Sequence, residues 1–334
     1  MSALRSNVGD RGLASGLLRD VDAHAARGAR AGSGGLVFAF LPDMSPSIAV
    51  TGVTGAIGST VVRLLSERGL PLRLVARDPL RAPELPGCEI VAASYADGPA
   101  MTRALEGVTT LFLVSAKESA TRVDEHRSAV DAAVSARVER IVYLSFLNAA
   151  EDATFTFARD HYRTERHIRE QGGAFTFLRP CLYLDLASYL VRPDDSISGP
   201  AGEGRASWVA RDDIAEVACA ILSAEDHRLH DGVTYDVTGR ETLGLDDVAA
   251  ELSRAVGRTI TYRRETLGEA RASRASYGAP AWEVEGWVSS YAAIAADEMS
   301  TVSDTVPRLT GHPARTLAEF LAEHPEAVAR LLRQ

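Results

Sequence analysis

The sequence holds almost no lysine: Lys117 stands alone beside 35 arginines in 334 residues. A bias of this kind reflects an arginine-rich, GC-rich coding background. It does not mark a nucleic-acid surface, because a net charge of -9 and a pI near 5.5 exclude a general nucleic-acid binder. Cysteine is scarce as well. Cys88, Cys181 and Cys219 form an odd, scattered set without metal-ligand spacing, which argues against a disulfide framework and for a reduced, cytoplasmic setting. No apolar run approaches the roughly 18 residues of a membrane-spanning helix, and the early stretch 36–41 is far too short, so no membrane partner is expected. Internal repeats are absent. What remains is a soluble, globular composition, 46% hydrophobic and 24% charged, long enough to bury a substantial core as one domain or two closely associated ones.

Residues 1–43 are rich in Arg, Ala and Gly, carry no clear cleavage site, and read as a disordered extension in preference to a signal or transit peptide. Met44 immediately precedes Ser45-Pro46-Ser47 and the first strand, so a chain starting there would lose nothing the fold needs. A misplaced start is the expectation.

The most informative stretch is Ile48-Ala49-Val50-Thr51-Gly52-Val53-Thr54-Gly55-Ala56-Ile57-Gly58, a short apolar run that breaks into a glycine-spaced turn and then a helical pattern over 59–68. The run suits a buried parallel strand. Three glycines at intervals of three let the backbone turn tightly, approach a pyrophosphate and pack strand against helix, with the free N–H groups of the helix start facing the phosphates. Glycines also mark ordinary turns, but Leu72-Arg73-Leu74-Val75-Ala76 follows one helix later and completes a βαβ unit of about thirty residues. Gly52, Thr54, Gly55, Ala56, Ile57 and Gly58 are therefore the candidate cradle for a dinucleotide.

From residue 46 the pattern alternates strand and helix, which predicts an α/β, Rossmann-type doubly wound parallel sheet over 46–240. Strands are expected near 48–52, 72–76, 89–92, 109–114, 140–145, 175–179 and 233–237, with helices near 57–68, 98–106, 121–136, 158–171 and 211–224. The segment 181–205 reads as a cleft loop, with 194–205, rich in glycine around Pro200, a surface hairpin. Residues 241–330 should form a small C-terminal α/β cap over the carboxyl ends of the strands: 245–256 is amphipathic, 259–262 strand-like, and 265–299 helical around a turn at Gly278-Ala279-Pro280. Asp212-Asp213 open a helix, where carboxylates favour the dipole, so no metal site is expected.

The order of motifs resembles the NmrA-like branch of the atypical short-chain dehydrogenases/reductases, which includes the type 2 NAD(P)H:quinone oxidoreductases. The resemblance covers roughly 47–325. It rests on the glycine turn, on Val75-Ala76-Arg77-Asp78-Pro79, on Asp131-Ala132-Ala133 before Val138-Glu139-Arg140-Ile141-Val142-Tyr143-Leu144-Ser145, on Phe175-Thr176-Phe177-Leu178-Arg179-Pro180 and on Gly311-His312-Pro313. It implies NADPH as cofactor, a small-molecule electron acceptor as partner and an assembly up to a homodimer. Arg77 closes the second strand, where dinucleotide folds read the adenosine ribose, and its guanidinium suits a 2′-phosphate, which favours NADPH over NADH. The competing account makes it a solvated strand-end arginine, leaving Asp78 to take a ribose hydroxyl.

Short-chain dehydrogenases usually activate a carbonyl with a Tyr-x-x-x-Lys pair on a helix. This chain cannot contain that pair, since Lys117 has Leu113 four residues before it, and the family pattern places Phe157 and His161 at the two positions. Hydride transfer to a quinone or another conjugated acceptor tolerates the loss, because the resulting oxyanion is delocalised and water can protonate it, leaving positioning as the main catalytic contribution. The resemblance makes His161 an orienting donor to the nicotinamide ribose or the acceptor. It makes Ser145 a hydrogen-bond partner of an acceptor oxygen and Tyr183 a ring that stacks on a flat acceptor. A satisfied structural histidine, a turn-capping serine and a core tyrosine are the corresponding alternatives. Ser115 and Ala116 should lie along the cofactor ribose, and Ser94-Tyr95-Ala96-Asp97 should approach the adenine. The rival reading of the whole is a redox-sensing regulator that binds dinucleotides without turnover.

Overall fold

The computed structural model describes residues 47–333, so the expectation for 1–43 lies outside the described residues. Seven strands line up in parallel in the order β3-β2-β1-β4-β5-β6-β8. They are β1 (Ile48–Thr51), β2 (Leu72–Ala76), β3 (Cys88–Ala92), β4 (Thr110–Val114), β5 (Arg140–Leu144), β6 (Ala174–Pro180) and β8 (Val233–Val237). Between them run the helices α1 (Ala56–Glu67), α2 (Gly98–Ala104), α3 (Arg122–Ser135), α4 (Thr156–Glu170) and α5 (Arg211–Leu222). Every residue of β1 and β5 is buried, as strands covered on both faces require. The order runs outward in both directions from the β1/β4 boundary, which is where doubly wound sheets open a crevice for a ligand.

Each face of the sheet has its own core. On one side Ile57, Val61, Val62 and Leu65 of α1 pack with Ile214, Val217, Ala218 and Ile221 of α5 over β1 and β2. On the other, Met101 of α2, Val130 and Ala133 of α3 and Ile168 of α4 cover Leu111, Leu113, Tyr143 and Phe177. Burying each of these larger aliphatic side chains contributes about 1.5–3 kcal/mol. Pro180 sits at the carboxyl end of β6, a tolerable place for a residue that cannot donate to a ladder.

The remaining elements are β7 (Ser196–Gly199), α6 (Leu245–Val256), β9 (Thr261–Arg264), α7 (Leu267–Ala275), α8 (Ala281–Ala295), α9 (Thr305–Thr310), α10 (Leu317–Glu323) and α11 (Pro325–Leu332). A third core joins Phe146, Leu147 and Cys181, from the loops after β5 and β6, to Leu245, Val248 and Leu252 of α6, Ile294 of α8 and Phe320 of α10. The cap therefore sits against the carboxyl ends of the strands.

The surface hairpin expected over 194–205 is wrong. Residues 196–201 are buried, and β7 pairs in parallel with β9, Ser196 against Thr261 through Gly199 against Arg264. The glycines there are packing residues: a Cβ on Gly199 would run into the Tyr291 ring, 3.0 Å from Cζ, and one on Gly204 into the α8 backbone, 2.7 Å from Ala295 Cα. Composition alone could not tell such close approach from a flexible turn.

At the far end, Arg315 draws its backbone N–H and guanidinium onto Asp213 and Glu216 of α5, while His324 binds Asp212 at 2.8 Å. The carboxylates that open α5 are thus engaged by the C-terminal segment.

Candidate active site

The crevice begins at the glycine turn. Thr51 ends β1 and fixes β4 beside it: its Oγ1 donates to the Phe112 carbonyl at 3.2 Å and accepts from the Val114 N–H at 3.0 Å. Gly52 then takes φ +64°, and a Cβ there would stand 2.8 Å from the Val114 Cβ. The Gly55 N–H closes the turn onto the Gly52 carbonyl at 2.9 Å. A Cβ on Gly58 would meet the Gly52 carbonyl carbon at 2.7 Å, so this glycine lets α1 lie against the turn. Gly55 differs from both. A Cβ on it would touch a single protein atom, the Gly52 oxygen at 3.3 Å, so the protein's own packing leaves room at this residue for something else. The first turn of α1 carries no acidic residue and no side-chain cap, and its leading N–H groups have no intrahelical acceptors. Free N–H groups, a positive dipole end and space at Gly55 together suit a pyrophosphate.

Arg77 follows β2, exposed, and makes no ion pair among the described residues. The neighbouring Asp78 accepts the Leu80 N–H at 3.2 Å and caps a short 3-10 turn. Tyr95 was expected near an adenine, but its hydroxyl is buried 2.5 Å from Thr51 Oγ1 and 2.6 Å from the Val114 carbonyl, where it ties the turn to β4. Burial pushes its pKa up, which keeps it a neutral donor. Asp97 caps α2.

Ser115 and Ala116 follow β4, half-buried. Behind them lies a buried polar chain. The Ala116 N–H donates to His126 Nε2 at 2.8 Å, so that nitrogen bears no proton and Nδ1–H donates to Thr164 Oγ1 at 2.9 Å. Thr164 in turn donates to the Asp160 carbonyl at 3.0 Å. Arg122 Nη2 donates to His161 Nε2 at 3.1 Å, which leaves His161 Nδ1–H to donate to the Tyr143 oxygen at 2.9 Å. Both imidazoles are held neutral, His126 at about 3 and His161 well below 6.5, chiefly by desolvation and next by the Arg122 charge. His161 is thus buried with both ring nitrogens engaged by internal partners, Arg122 and Tyr143.

Ser145 is also turned inward. Its hydroxyl donates to Glu165 Oε1 at 2.6 Å, and Glu165 is gripped by Arg179 through Nε at 2.8 Å and Nη2 at 2.6 Å, with Arg169 at 3.2 Å. Tyr183 stays half-buried beside the crevice with the Arg211 guanidinium 4.9 Å from its ring centre, and burial pushes its phenol up to about 12. Phe157 belongs to an aromatic row. From His161 the row runs through Phe146, Phe155 and Phe157 to the partly exposed Trp282 of α8, with ring centres 5.0–6.1 Å apart. Gly286 makes room for it, since a Cβ there would stand 2.7 Å from a Phe157 ring carbon.

Sequence reasoning brought the glycine turn, Arg77, Ser115 and Ala116 to one crevice. It missed Arg122, His126, Tyr143 and Glu165. The spacing of Arg122 and His126, and of His161 and Glu165, by four residues on adjacent helices was the available signal.

A sequence model of the NmrA-like family matches residues 44–273. The chain belongs to the NmrA-like family. The NAD(P)H azoreductase of Xenophilus azovorans is 34% identical over 285 residues, 84% of this chain and 98% of that protein. The (4-alkanoyl-5-oxo-2,5-dihydrofuran-3-yl)methyl phosphate reductase of Streptomyces griseus is 34% identical over 288 residues, covering 84% and 99%. Among solved structures, the NADPH-dependent quinone oxidoreductase QOR2 of Escherichia coli in complex with NADPH superposes with a TM-score of 0.76 at 30% identity, covering 83% of this chain and 99% of that one. These three are named reductases or oxidoreductases, and this family member shares the Rossmann-type sheet of the solved one.

Proposed function

We infer that this chain is an NmrA-like NAD(P)H-dependent oxidoreductase that passes hydride from NADPH to a quinone or a similarly flat, conjugated acceptor. One observation carries the inference: the turn after β1 leaves space at Gly55 in front of free α1 N–H groups, in line with an unpaired Arg77 at the end of β2. The turn would hold the pyrophosphate, Arg77 the 2′-phosphate, and Ser115 with Ala116 the nicotinamide-side ribose. When bound, the dinucleotide supplies the hydride. The chain supplies orientation and exclusion of water: the tautomers of His126 and His161 are fixed, the 115–116 segment is anchored from behind through Ala116, and the aromatic row extends from His161 to Trp282 of α8.

His161 and Ser145 support this site from the second layer, because their polar atoms are spent on Arg122, Tyr143 and Glu165. Reduction without a Tyr-x-x-x-Lys pair fits acceptors whose reduced form is weakly basic, for which water serves as proton donor. The names of the azoreductase and quinone reductase relatives support conjugated acceptors, and a cytoplasmic setting belongs to the same reading.

The test is loss of NADPH absorbance when a panel of quinones and azo dyes is added to the purified full-length chain, alongside calorimetry with NADPH and NADH. Acceptor-dependent oxidation of NADPH supports the reading. Tight dinucleotide binding without turnover across the panel replaces it with a dinucleotide-responsive regulator, and binding of neither nucleotide overturns the site.

A further inference from the structure

Arg122 is the first residue of α3, which follows the loop leaving the carboxyl end of β4. It is 3% exposed, and of its three guanidinium nitrogens only Nη2 has a partner, His161. Nε and Nη1 are buried without any acceptor, and no carboxylate pairs with this cation among the described residues. An arginine cannot shed its charge, so a solitary buried guanidinium persists only where something else in the fold outweighs its cost. A group of this kind calls for an explanation.

Its surroundings supply one. The elements around it are the 115–116 segment, held by His126 one turn along α3, the α4 face bearing His161 and Asp160, and Tyr183 after β6; the Asp160 carboxylate and the Tyr183 phenol both feel the Arg122 charge. All three border the carboxyl ends of the central strands, where doubly wound folds seat their ligand. His161 is neutral and accepts from Nη2, so it aims the guanidinium without cancelling its charge.

We propose that the fixed charge of the Arg122 guanidinium, through one of its two unpartnered nitrogens, stabilises the acceptor oxygen on which negative charge gathers during hydride transfer. The inference rests on the reductase reading above. The acceptor takes a hydride, with its electron pair, from the reduced dinucleotide; its conjugated π bonds shift, one carbonyl oxygen becomes an oxyanion, and a proton from water completes the two-electron reduction as the oxidised dinucleotide leaves. Arg122 transfers nothing. It supplies a fixed counter-charge and a single aimed donor in a water-poor site, where such groups act most strongly. The substrate class that follows is acceptors with an accessible conjugated carbonyl, and product-like phenolates should bind to the oxidised complex.

The experiment uses full-length wild type, Arg122→Gln, Arg122→Lys and Arg122→Met. With 1,4-naphthoquinone as acceptor, Arg122→Gln should lose about 100-fold in kcat with NADPH affinity within about threefold of wild type. Arg122→Lys, which keeps the charge but loses the fork, should fall between them. In the presence of NADP+, 4-nitrophenol should bind wild type as its coloured phenolate at least about tenfold more tightly than it binds Arg122→Gln. Arg122→Met should unfold at the same or a higher temperature than wild type, because it removes an unpaired buried charge. Full turnover by Arg122→Gln, equal phenolate affinity, or a marked loss of stability in Arg122→Met overturns the proposal. A wild type that oxidises no NADPH with any acceptor overturns the underlying reductase reading instead.

Discussion

Two arginines, Arg179 half-buried and Arg122 buried, face neighbouring turns of α4 and are treated in opposite ways. Arg179 reaches Glu165 with two nitrogens and the Ala149 carbonyl with one, and Ser145 supplies a further hydrogen bond to the same carboxylate. Arg122, reaching His161 one turn away, hydrogen-bonds a neutral ring and forms no ion pair among the described residues, with the Asp160 carboxylate near enough only to feel its charge. The first arrangement is a closed account of donors and acceptors, the mark of a structural tie. The second keeps a charge without an ion-pair partner near the carboxyl ends of the strands, at a cost in stability that the rest of the fold offsets.

The sharpest way to break this contrast is Arg179→Met. Stripping Glu165 of its main partner should cost about 3–5 kcal/mol, read as a drop in the denaturant midpoint, whereas Arg122→Met should cost little or nothing. Comparable losses for the two would erase the distinction.

Gly55→Val comes next. Its side chain would enter the space in front of the α1 N–H groups, so NADPH affinity should fall by about 100-fold or more. The melting temperature should change little, since a Cβ there meets only the Gly52 oxygen at 3.3 Å. Calorimetry and thermal unfolding on one sample separate the two effects.

Acid should reveal the neutral histidines on the Arg122 side. The unfolded chain protonates His126 below 6.5, but the folded chain does so only near 3, and His161 is shifted the same way. Stability is therefore complete above pH 6.5 and falls as the pH drops through that window, by about 1.4 kcal/mol per unit for each histidine. His126→Gln, which keeps an acceptor for Ala116 and a donor for Thr164, should flatten the slope of the denaturant midpoint between pH 6 and pH 4. An unchanged slope would mean that His126 does not carry it.

Ser145→Ala is expected to have the smallest effect. Its hydroxyl belongs to the Glu165 tie, so its loss should cost about 1 kcal/mol and leave kcat with quinones within about twofold. A large fall in kcat with unchanged stability would return Ser145 to the acceptor.

Much of this was legible in the chain itself. The glycine turn and the second strand announced the first βαβ unit, and all seven strands of the main sheet lie close to where alternating apolar runs placed them. β7 was hidden because Gly199, Pro200, Gly202 and Gly204 have the composition of a loop, whereas Gly199 and Gly204 are there for close packing against α8. Arg122 was hidden for a different reason. Nothing in a sequence with 35 arginines marks one whose buried nitrogens are left short of acceptors, because partnership is a property of the folded neighbours. Ser145 and His161 were placed at the right strand end and helix, yet which way a hydroxyl or an imidazole turns is decided by Glu165, Tyr143 and Arg122, which come from other elements.

The pairing of β7 with β9 has a mechanical consequence. The polypeptide leaves the main sheet after β6, contributes a strand to the upper layer, returns to form α5 and β8, and only then climbs again to add the neighbouring strand. The two layers are stitched twice, like overlapping hems. Neither can be cut away whole by one protease nick, and a swinging motion of the upper layer would have to bend the connections on both sides of β7 and the one after β8 together.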